Sequence, residues 1–326
     1  MSGGPSTPAL AAAVSGAGGL GFIAAGYKSV DEVAREISAV QASTSRAFGV
    51  NIFVPARREA DDDAIAAYAE TLAAEAERYR VALGEPRWTD DEWAAKLELV
   101  RRERPAIVSF TFGCPDREVV SWLQARGISV WITVTTPAEA RLAATVGVDA
   151  LVVQGAEAGG HQSSFEDTDD APIGLVALLQ LVRRTTNLPL VAAGGIGSGA
   201  GVAAALALGA SAAQIGSALM RTPEAGTSVA HRTALAHDAP TTLTRAFTGR
   251  RARGIVNRFV LEHDPRAPQG YPHVHYLTAP IRAAARAADD ADAINLWAGQ
   301  AYRMAEATPA GELVERWASD PALIER

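Results

Sequence analysis

The sequence has one cysteine and two lysines among its 326 residues, and aromatic side chains make up only 6% of it. With Cys114 alone, the chain can form neither an intramolecular disulfide nor a cysteine-based metal cluster. Basic residues are outnumbered, 30 against 37 acidic ones, which gives a formal net charge of -7 and a pI near 5.5. This charge balance excludes no partner class outright, but it gives no reason to expect nucleic acid or an anionic membrane.

Long apolar runs are missing as well, outside one Ala/Gly-rich stretch near the start of the sequence. A membrane span needs ~20 uncharged apolar residues, and the first eight residues lack the basic region that opens a signal peptide. We therefore expect a cytoplasmic protein with no membrane partner. Hydrophobic residues form 48% of the chain, and the length fits one α/β barrel with an appendage.

Short apolar runs alternate with helical patterns as far as about residue 236. Such runs are typical of parallel strands that helices bury on both faces. The alternation fits a barrel or a doubly wound sheet. Because ligand-type loops follow several of the runs, we favour a TIM-type (β/α)8 barrel over residues 1–236. The predicted strands are 20–24, 48–53, 106–110, 129–133, 150–153, 188–192 and 212–215.

Two segments depart from this barrel pattern. A charged, helical insertion at about 56–104 is expected to face solvent. Residues 237–326 are expected to form a helical cap or lid over the barrel mouth, with helices at 279–288 and 292–307. Within the barrel, Ser29 and Thr136 are predicted N-caps, and Thr7 is predicted to cap a first helix over 8–14.

The strand count is one short of a closed barrel. Seven strands are predicted, and the sequence opens with a helix where a barrel should open with a strand. We expect the first strand to be missing from this chain. Two explanations stay open: an upstream start codon was missed, or the native fold tolerates a gap.

Two glycine-rich segments follow consecutive late strands of the predicted barrel. The first, Gln154-Gly-Ala-Glu-Ala-Gly-Gly-His161, brings a histidine to the rim, and the second is Val191-Ala-Ala-Gly-Gly-Ile196. Glycines at strand ends let backbone amides approach an anion, and the loops after the last strands of a barrel are the usual phosphate site. These segments therefore predict a phosphate-bearing ligand beside His161, a side chain that can exchange protons near neutral pH.

The same two segments, together with Gln214-Ile-Gly-Ser217, resemble the FMN-binding signature of the nitronate monooxygenase family, formerly called 2-nitropropane dioxygenases. The resemblance extends to 3–8, 249–254 and 297–300. It implies bound FMN, with the phosphate on amides at 194, 195, 216 and 217 and His161 as the catalytic residue. The cofactor-binding residues that it implies are Ser2, Gly3, Asn51, Gln154, Gly159, Gly160, Gly194, Gly195, Gln214, Gly216 and Ser217.

The family resemblance also implies a reaction. We expect FMN-dependent oxidation of a small alkyl nitronate, such as propionate 3-nitronate, by O2 to a carbonyl compound and nitrite, in a monomer or homodimer. Two alternatives stay open: an FMN-dependent NAD(P)H reductase of quinones or enoyl thioesters, and a non-catalytic flavin-binding or inactive truncated paralogue. The family often carries histidine where this chain has Thr111, which leaves the substrate preference open.

Other candidate side chains are assigned structural roles. Cys114 follows a strand and should lie near the barrel mouth, where packing as a small hydrophobe is favoured over nucleophilic chemistry. His273 and His275 share one face if their segment is extended, but they lack further ligands, and no metal site is predicted. Tyr271, Tyr276 and Tyr302 are expected to pack in the cap, with a contribution to the substrate pocket as the alternative.

Overall fold

Parallel strands form the main sheet of the computed structural model, which describes residues 1, 3–55 and 60–324. The described strands are β1 (Gly21–Ala24), β2 (Phe48–Phe53), β3 (Ile107–Thr111), β4 (Ser129–Val134), β5 (Ala150–Gln154), β6 (Gly160–His161), β7 (Leu190–Ala193), β8 (Ala212–Gln214), β9 (Thr241–Thr244) and β10 (Ala252–Ile255). The main sheet has the order β1-β2-β3-β4-β5-β7-β8 and is parallel throughout. Each of the seven predicted strands is confirmed, and the curled sheet with its outer helices is the barrel-like α/β fold that the sequence predicts. Among the described residues, β1 and β8 are the two edges of this sheet.

Helices cover the outside of the sheet and build the C-terminal part of the chain. They are α1 (Pro8–Gly16), α2 (Val30–Ser43), α3 (Asp62–Thr71), α4 (Ala73–Tyr79), α5 (Trp93–Glu103), α6 (Arg117–Gln124), α7 (Pro137–Val146), α8 (Leu175–Arg183), α9 (Gly199–Ala207), α10 (Val229–Ala234), α11 (Arg258–His263), α12 (His273–Ala287), α13 (Ala310–Ala318) and α14 (Pro321–Ile324). In the described ranges, we find no helix with the length and apolar character needed to cross a membrane.

Side-chain caps fix the starts of three of these helices as predicted. Thr7 accepts a hydrogen bond from the Leu10 amide at the start of α1. Ser29 and Thr136 each form a capping box, in which the cap hydroxyl and a glutamate three residues on satisfy each other's backbone amides. These caps fix where each helix begins after the strand before it. The connections therefore return along the outside of the sheet, and the carboxyl ends of the strands meet at one rim.

A small antiparallel sheet crosses that rim, in the order β6-β10-β9. Its register pairs His161 with Ala252 and Gly160 with Arg253. The glycine-rich loop after β5 is therefore tied by main-chain pairing to the C-terminal part of the chain. This pairing, which joins residues about 90 positions apart, fixes the place of His161.

The helical insertion is less exposed than the sequence predicts. Its helices α3 and α4 bury Ile65, Tyr68 and Leu72 in a second core, and these side chains pack there with residues of α11 and α12. The Tyr68 hydroxyl donates to the Ala246 carbonyl at 2.7 Å. The expectation of a solvent-facing insertion is wrong for this face, because its apolar side chains pack inward and Glu75 of α4 is also buried, in an ion pair with Arg258.

The C-terminal elements also differ from the predicted ones. Helix α12 begins at His273, several residues before the predicted start at 279. The predicted helix over 292–307 is wrong: the segment has only two single 3-10 turns, Ala291–Ala293 and Tyr302–Met304. The reason lies in its backbone groups, since the amides of Ala298, Gly299 and Gln300 donate to distant parts of the chain instead of to a preceding turn.

Candidate active site

One pocket of about 480 Å³ opens at the rim where the carboxyl ends of the strands meet the small sheet. Its size is typical of a pocket that binds a cofactor or other small ligand. All predicted site residues that the structure describes line it, whereas Ser2 lies outside the described residues. The lining residues that the sequence predicts are Gly3, Asn51, Gln154, Gly159, Gly160, His161, Gly194, Gly195, Gln214, Gly216 and Ser217.

The glycine segment after β7 presents backbone amides to this pocket. Gly194 and Gly195 have φ of +105° and +71°, a conformation that favours glycine. Among the described residues, the N–H groups of Gly194, Gly195 and Gly216 donate to no protein acceptor. Three unpaired donors at one end of a pocket suit an anion with several oxygens, such as a phosphate.

The two glycine segments lie in contact with each other. A Cβ atom placed on Gly194 would lie 3.0 Å from the Ala158 amide nitrogen and 3.2 Å from the Gly155 carbonyl oxygen. The loop after β5 can therefore lie this close to the loop after β7 only because residue 194 has no side chain. The contact couples the proposed phosphate end of the pocket to the loop that carries His161.

A third segment, Trp297 to Gln300, closes the pocket from the C-terminal side. The Gly299 amide donates to Ser217 Oγ at 2.8 Å, and the Gln300 amide donates to the Glu157 carbonyl at 2.9 Å. A Cβ on Gly159 would lie 2.4 Å from the Gly299 nitrogen. Glycine at 159 thus allows the backbones of two distant segments to touch.

Two amide side chains hold the rim in place. Gln154 donates through Nε2 to the His161 carbonyl at 3.2 Å and accepts through Oε1 from the Ser163 amide at 2.8 Å, so it spans its own loop. Asn51 donates through Nδ2 to Ser109 Oγ at 2.9 Å and to Thr111 Oγ1 at 3.0 Å. Both side chains are therefore fixed by protein partners before any ligand binds.

Glu157 serves helix α8 rather than His161. Its two carboxylate oxygens each lie 3.0 Å from the amide nitrogen of Leu175, the first residue of the helix. A carboxylate in this position stabilises the positive end of the helix dipole. This contact assigns Glu157 a structural role and leaves His161 to a different partner.

That partner is Thr248, whose Oγ1 lies 2.9 Å from His161 Nε2. The imidazole is also in contact with the rings of Phe112, Tyr271 and Trp297, at centroid distances of 5.5 to 5.7 Å. Burial lowers the pKa of His161 to about 3, and the nearby guanidinium groups of Arg250 and Arg282 add to the effect. His161 is accordingly neutral near pH 7 in this environment.

Arg282 lines the pocket, and Arg250, which stacks on the pocket-lining Phe112, adds positive charge near His161. Both are buried, and no carboxylate of the described residues lies within ion-pair distance of either. Arg250 stacks over Phe112 with its guanidinium carbon 4.3 Å from the ring centroid and donates to the Ser164 carbonyl. Arg282 donates to the His275 carbonyl at 2.6 Å, and burial lowers its pKa to about 10. Buried cations without anionic partners favour an anionic ligand.

Sequence analysis missed these two arginines and Tyr27, and it gave Tyr271 a contribution to the substrate pocket only as an alternative to packing. Tyr27 stacks on His275 with ring centroids 4.1 Å apart, and Tyr271 contacts both Tyr27 and His161. Arg250 lies within the 249–254 segment that carries the family resemblance, so that segment was the available signal. For Arg282 and Tyr27, no local pattern marks a ligand contact, since folding alone brings them together.

Of the remaining candidates, Cys114, His273 and Tyr302 do not line the pocket, whereas His275 does. Cys114 packs against the main core, is not among the pocket-lining residues, and has a pKa raised to about 11 by burial and by Asp116. His273 and His275 are on a helix rather than in the predicted extended segment, so they do not share a face. Tyr302 is buried, and its hydroxyl accepts from the Ala239 amide at 2.8 Å, which makes it a packing residue.

Comparisons with known proteins place this architecture in a known group. The family model described as nitronate monooxygenase matches residues 1–320. The nitronate monooxygenase of Pseudomonas aeruginosa is 43% identical over 95% of this chain and 92% of its own length, and that of Paraburkholderia phytofirmans is 40% identical over 95% and 88%. The solved structure of a nitroalkane oxidase from Streptomyces ansochromogenes has a TM-score of 0.97 and 49% identity, and covers 100% of this chain and 94% of its own. FabK from Thermotoga maritima has a TM-score of 0.76 and 25% identity, with 98% and 90% coverage.

Proposed function

The chain belongs to the nitronate monooxygenase family, and on that premise we propose that it oxidises small alkyl nitronates with bound FMN and O2. The products are a carbonyl compound and nitrite, as the carbon–nitrogen bond of the nitronate gives way to a carbon–oxygen bond. One observation carries the proposal: three amides without protein acceptors, His161 and the buried Arg282 line the same pocket.

The residues present fit FMN. The unpaired amides of Gly194, Gly195 and Gly216, together with Ser217, would hold the phosphate, because backbone N–H groups in a glycine-rich loop bind phosphate oxygens well. We assign the ring to the part of the pocket lined by Asn51, Gln154, Gly159 and Gly160, with Gly3 and Gln214 at its edges. When bound, the flavin supplies the redox chemistry that passes electrons from the organic anion to O2.

The protein's own contribution is to bind and orient the anion. Arg250 and Arg282 supply positive potential in a buried setting, where it is screened less than at the surface. The rings of Phe112 and Tyr271 pack beside His161 and cover part of its imidazole. His161 is neutral before the substrate enters, and an anion beside it raises its pKa, so we assign it the role of taking up a proton from solvent as the nitronate binds and pairing with that anion as the imidazolium.

We also propose that the work is divided between two parts of the chain. Residues 1–236, the barrel with its insertion at about 56–104, supply the phosphate end and His161. Residues 237–326 supply Arg250, Arg282 and the segment that closes the pocket. Residues 265–288 of this C-terminal part carry Tyr271 and His275, which form the aromatic wall beside His161 together with Tyr27 of the barrel.

Anaerobic mixing tests the proposed function. Purified protein reconstituted with FMN should show a flavin spectrum that propionate 3-nitronate bleaches and NADH does not, with turnover on admission of air. His161→Gln should keep the flavin spectrum and lose turnover by about 10²-fold or more, the lower range for a placed acid–base group. His237→Gln, which alters an exposed histidine, is the matched control. Unchanged turnover in His161→Gln would remove the assigned role.

The same measurement separates the alternatives. The FMN-dependent NAD(P)H reductase is the second candidate, and bleaching of the flavin by NADH or NADPH in place of nitronate would support it. A protein that stays colourless and takes up no FMN would instead be a non-catalytic relative.

A further inference from the structure

The hydroxyl of Thr248 has all of its hydrogen-bonding capacity in use. A threonine hydroxyl has one hydrogen to donate and two lone pairs to accept with. Thr248 Oγ1 lies 3.1 Å from the Arg250 carbonyl oxygen, 3.4 Å from the Arg250 amide nitrogen and 2.9 Å from His161 Nε2. The carbonyl can only accept and the amide can only donate, which fixes the direction of the first two bonds.

The third bond is fixed as a consequence. Because the single hydroxyl hydrogen goes to the Arg250 carbonyl, Thr248 must accept a hydrogen from His161. We infer that Thr248 is a positioning residue that holds neutral His161 in the tautomer with its hydrogen on Nε2 and its lone pair on Nδ1. Among the described residues, Nδ1 has no hydrogen-bond partner. The lone pair is therefore left for a ligand in the pocket.

The fold holds Thr248 rigidly enough for this role. The residue is buried in the turn between β9 and β10, where its own amide donates to the Arg245 carbonyl at 3.1 Å and the Gly249 amide donates to the same oxygen at 2.8 Å. Pairing of Ala252 with His161 fixes the distance from β10 to the histidine. The backbone that carries the Thr248 hydroxyl is thus held in place by hydrogen bonds, which keeps the hydroxyl beside His161.

This inference rests on the proposed role of His161 and specifies which ring nitrogen, Nδ1, takes up the proton. A neutral imidazole with its lone pair at Nδ1 accepts a proton there and cannot donate a hydrogen bond there until it has done so. The charged and titratable groups around it are Arg250, Arg282, His275 and Tyr271, and the two arginines oppose its protonation in the absence of an anion. Proton uptake at Nδ1 is therefore coupled to entry of the anionic substrate.

Nitrogen NMR of 15N-histidine-labelled holoprotein tests the inference directly. The chain has six histidines, and a His161→Gln spectrum identifies the signals of His161. In the native protein at pH 7.5 without substrate, Nδ1 should give the signal of an unprotonated ring nitrogen and Nε2 that of a protonated one. Thr248→Ser should keep this pattern, and Thr248→Val should give a mixture of tautomers.

Kinetics gives the matching functional readout. In Thr248→Val, kcat/KM for the nitronate should fall about tenfold. This is part of the roughly 10²- to 10⁴-fold that a placed acid–base group contributes. Thr248→Ser should retain most of the native kcat/KM. Thr222→Val is the control, because Thr222 is equally buried and its hydroxyl donates to the Leu219 carbonyl at 2.9 Å without touching His161. It should change neither the tautomer nor kcat/KM.

The outcomes separate this inference from the proposed function. A native His161 with its hydrogen on Nδ1, or a Thr248→Val protein with the native tautomer pattern, overturns the role of Thr248 whatever the activity. If Thr248→Val does not fold, the native spectrum and Thr248→Ser still decide. Full turnover by His161→Gln would overturn the proposed role of the histidine while leaving the tautomer result intact.

Discussion

Replacement of Gly194 by alanine should weaken the binding of FMN, and the loss of affinity should exceed what strain in the backbone at residue 194 alone would cause. The new methyl group would lie 3.0 Å from the Ala158 nitrogen and 3.1 Å from the Ala158 Cβ, which is too close without movement of the loop after β5. A positive φ costs an alanine about 1–2 kcal/mol, and overpacking against a neighbouring segment adds about 1–3 kcal/mol. If the loop after β5 moves to relieve this contact, the pocket changes shape. The overpacking cost of about 1–3 kcal/mol then appears as a weaker binding free energy for FMN.

Gly209→Ala is a matched control for the backbone cost. Gly209 has φ of +92°, close to the +105° of Gly194, but the nearest atom to its added Cβ is Arg183 Nε at 3.9 Å. Both variants should lose about 1–2 kcal/mol in urea unfolding from the backbone alone. Only Gly194→Ala should bind FMN more weakly, by about fivefold or more in an absorbance titration, since a loss of 1–3 kcal/mol corresponds to about 5- to 150-fold. Equal FMN affinities in the two variants would refute the idea that the two loops depend on each other.

Two further predictions concern buried charges. Lys96→Met should lower the free energy of unfolding by about 3 kcal/mol, because the Asp91 carboxylate lies 2.8 Å from the buried Lys96 amine and would lose its cation. Lys28→Met, at a more exposed ion pair, should lower it by less than about 1 kcal/mol. Similar losses for the two variants in urea unfolding would contradict the burial argument. Burial lowers the pKa of His231 to about 4 despite its bond to the Trp297 carbonyl, so its contribution to stability is complete above the unfolded value near 6.5 and is lost as the pH falls from there towards 4. Between pH 7 and pH 5, the native protein should therefore lose about 2 kcal/mol more than His231→Gln, and equal losses in the two proteins would count against it.

The parts of the fold that the sequence predicts are those encoded locally. Apolar runs bounded by glycine and polar residues mark the strands of the main sheet, because both faces of a parallel strand are buried. The hydroxyl caps at Thr7, Ser29 and Thr136 mark helix starts, because each cap satisfies an amide only three residues away. The glycine segments also mark the proposed phosphate end of the pocket, because the amides that they present come from a few consecutive residues.

The parts that the sequence does not predict depend on long-range contacts. The 292–307 segment has a helical composition, but the amides of Gly299 and Gln300 are used by Ser217 and Glu157. Thr248 becomes important only because β10 pairs with β6, which no local pattern announces. Arg250 and Arg282 belong to different elements, and their effect on His161 appears only once both are buried beside it.

The closing segment of the pocket also has a consequence for synthesis of the protein in the cell. Gly299 contacts Ser217 across 82 positions of the sequence, and a ribosome adds about 5–20 residues per second, so the glycine loops exist for about 4–16 s before the last wall of the pocket is made. During this interval a nascent chain has the amides for a phosphate but not the contacts that enclose a ligand. Stable loading of a cofactor should therefore follow release of the chain, and a chain that ends before residue 297 should fold its strands yet hold no ligand tightly.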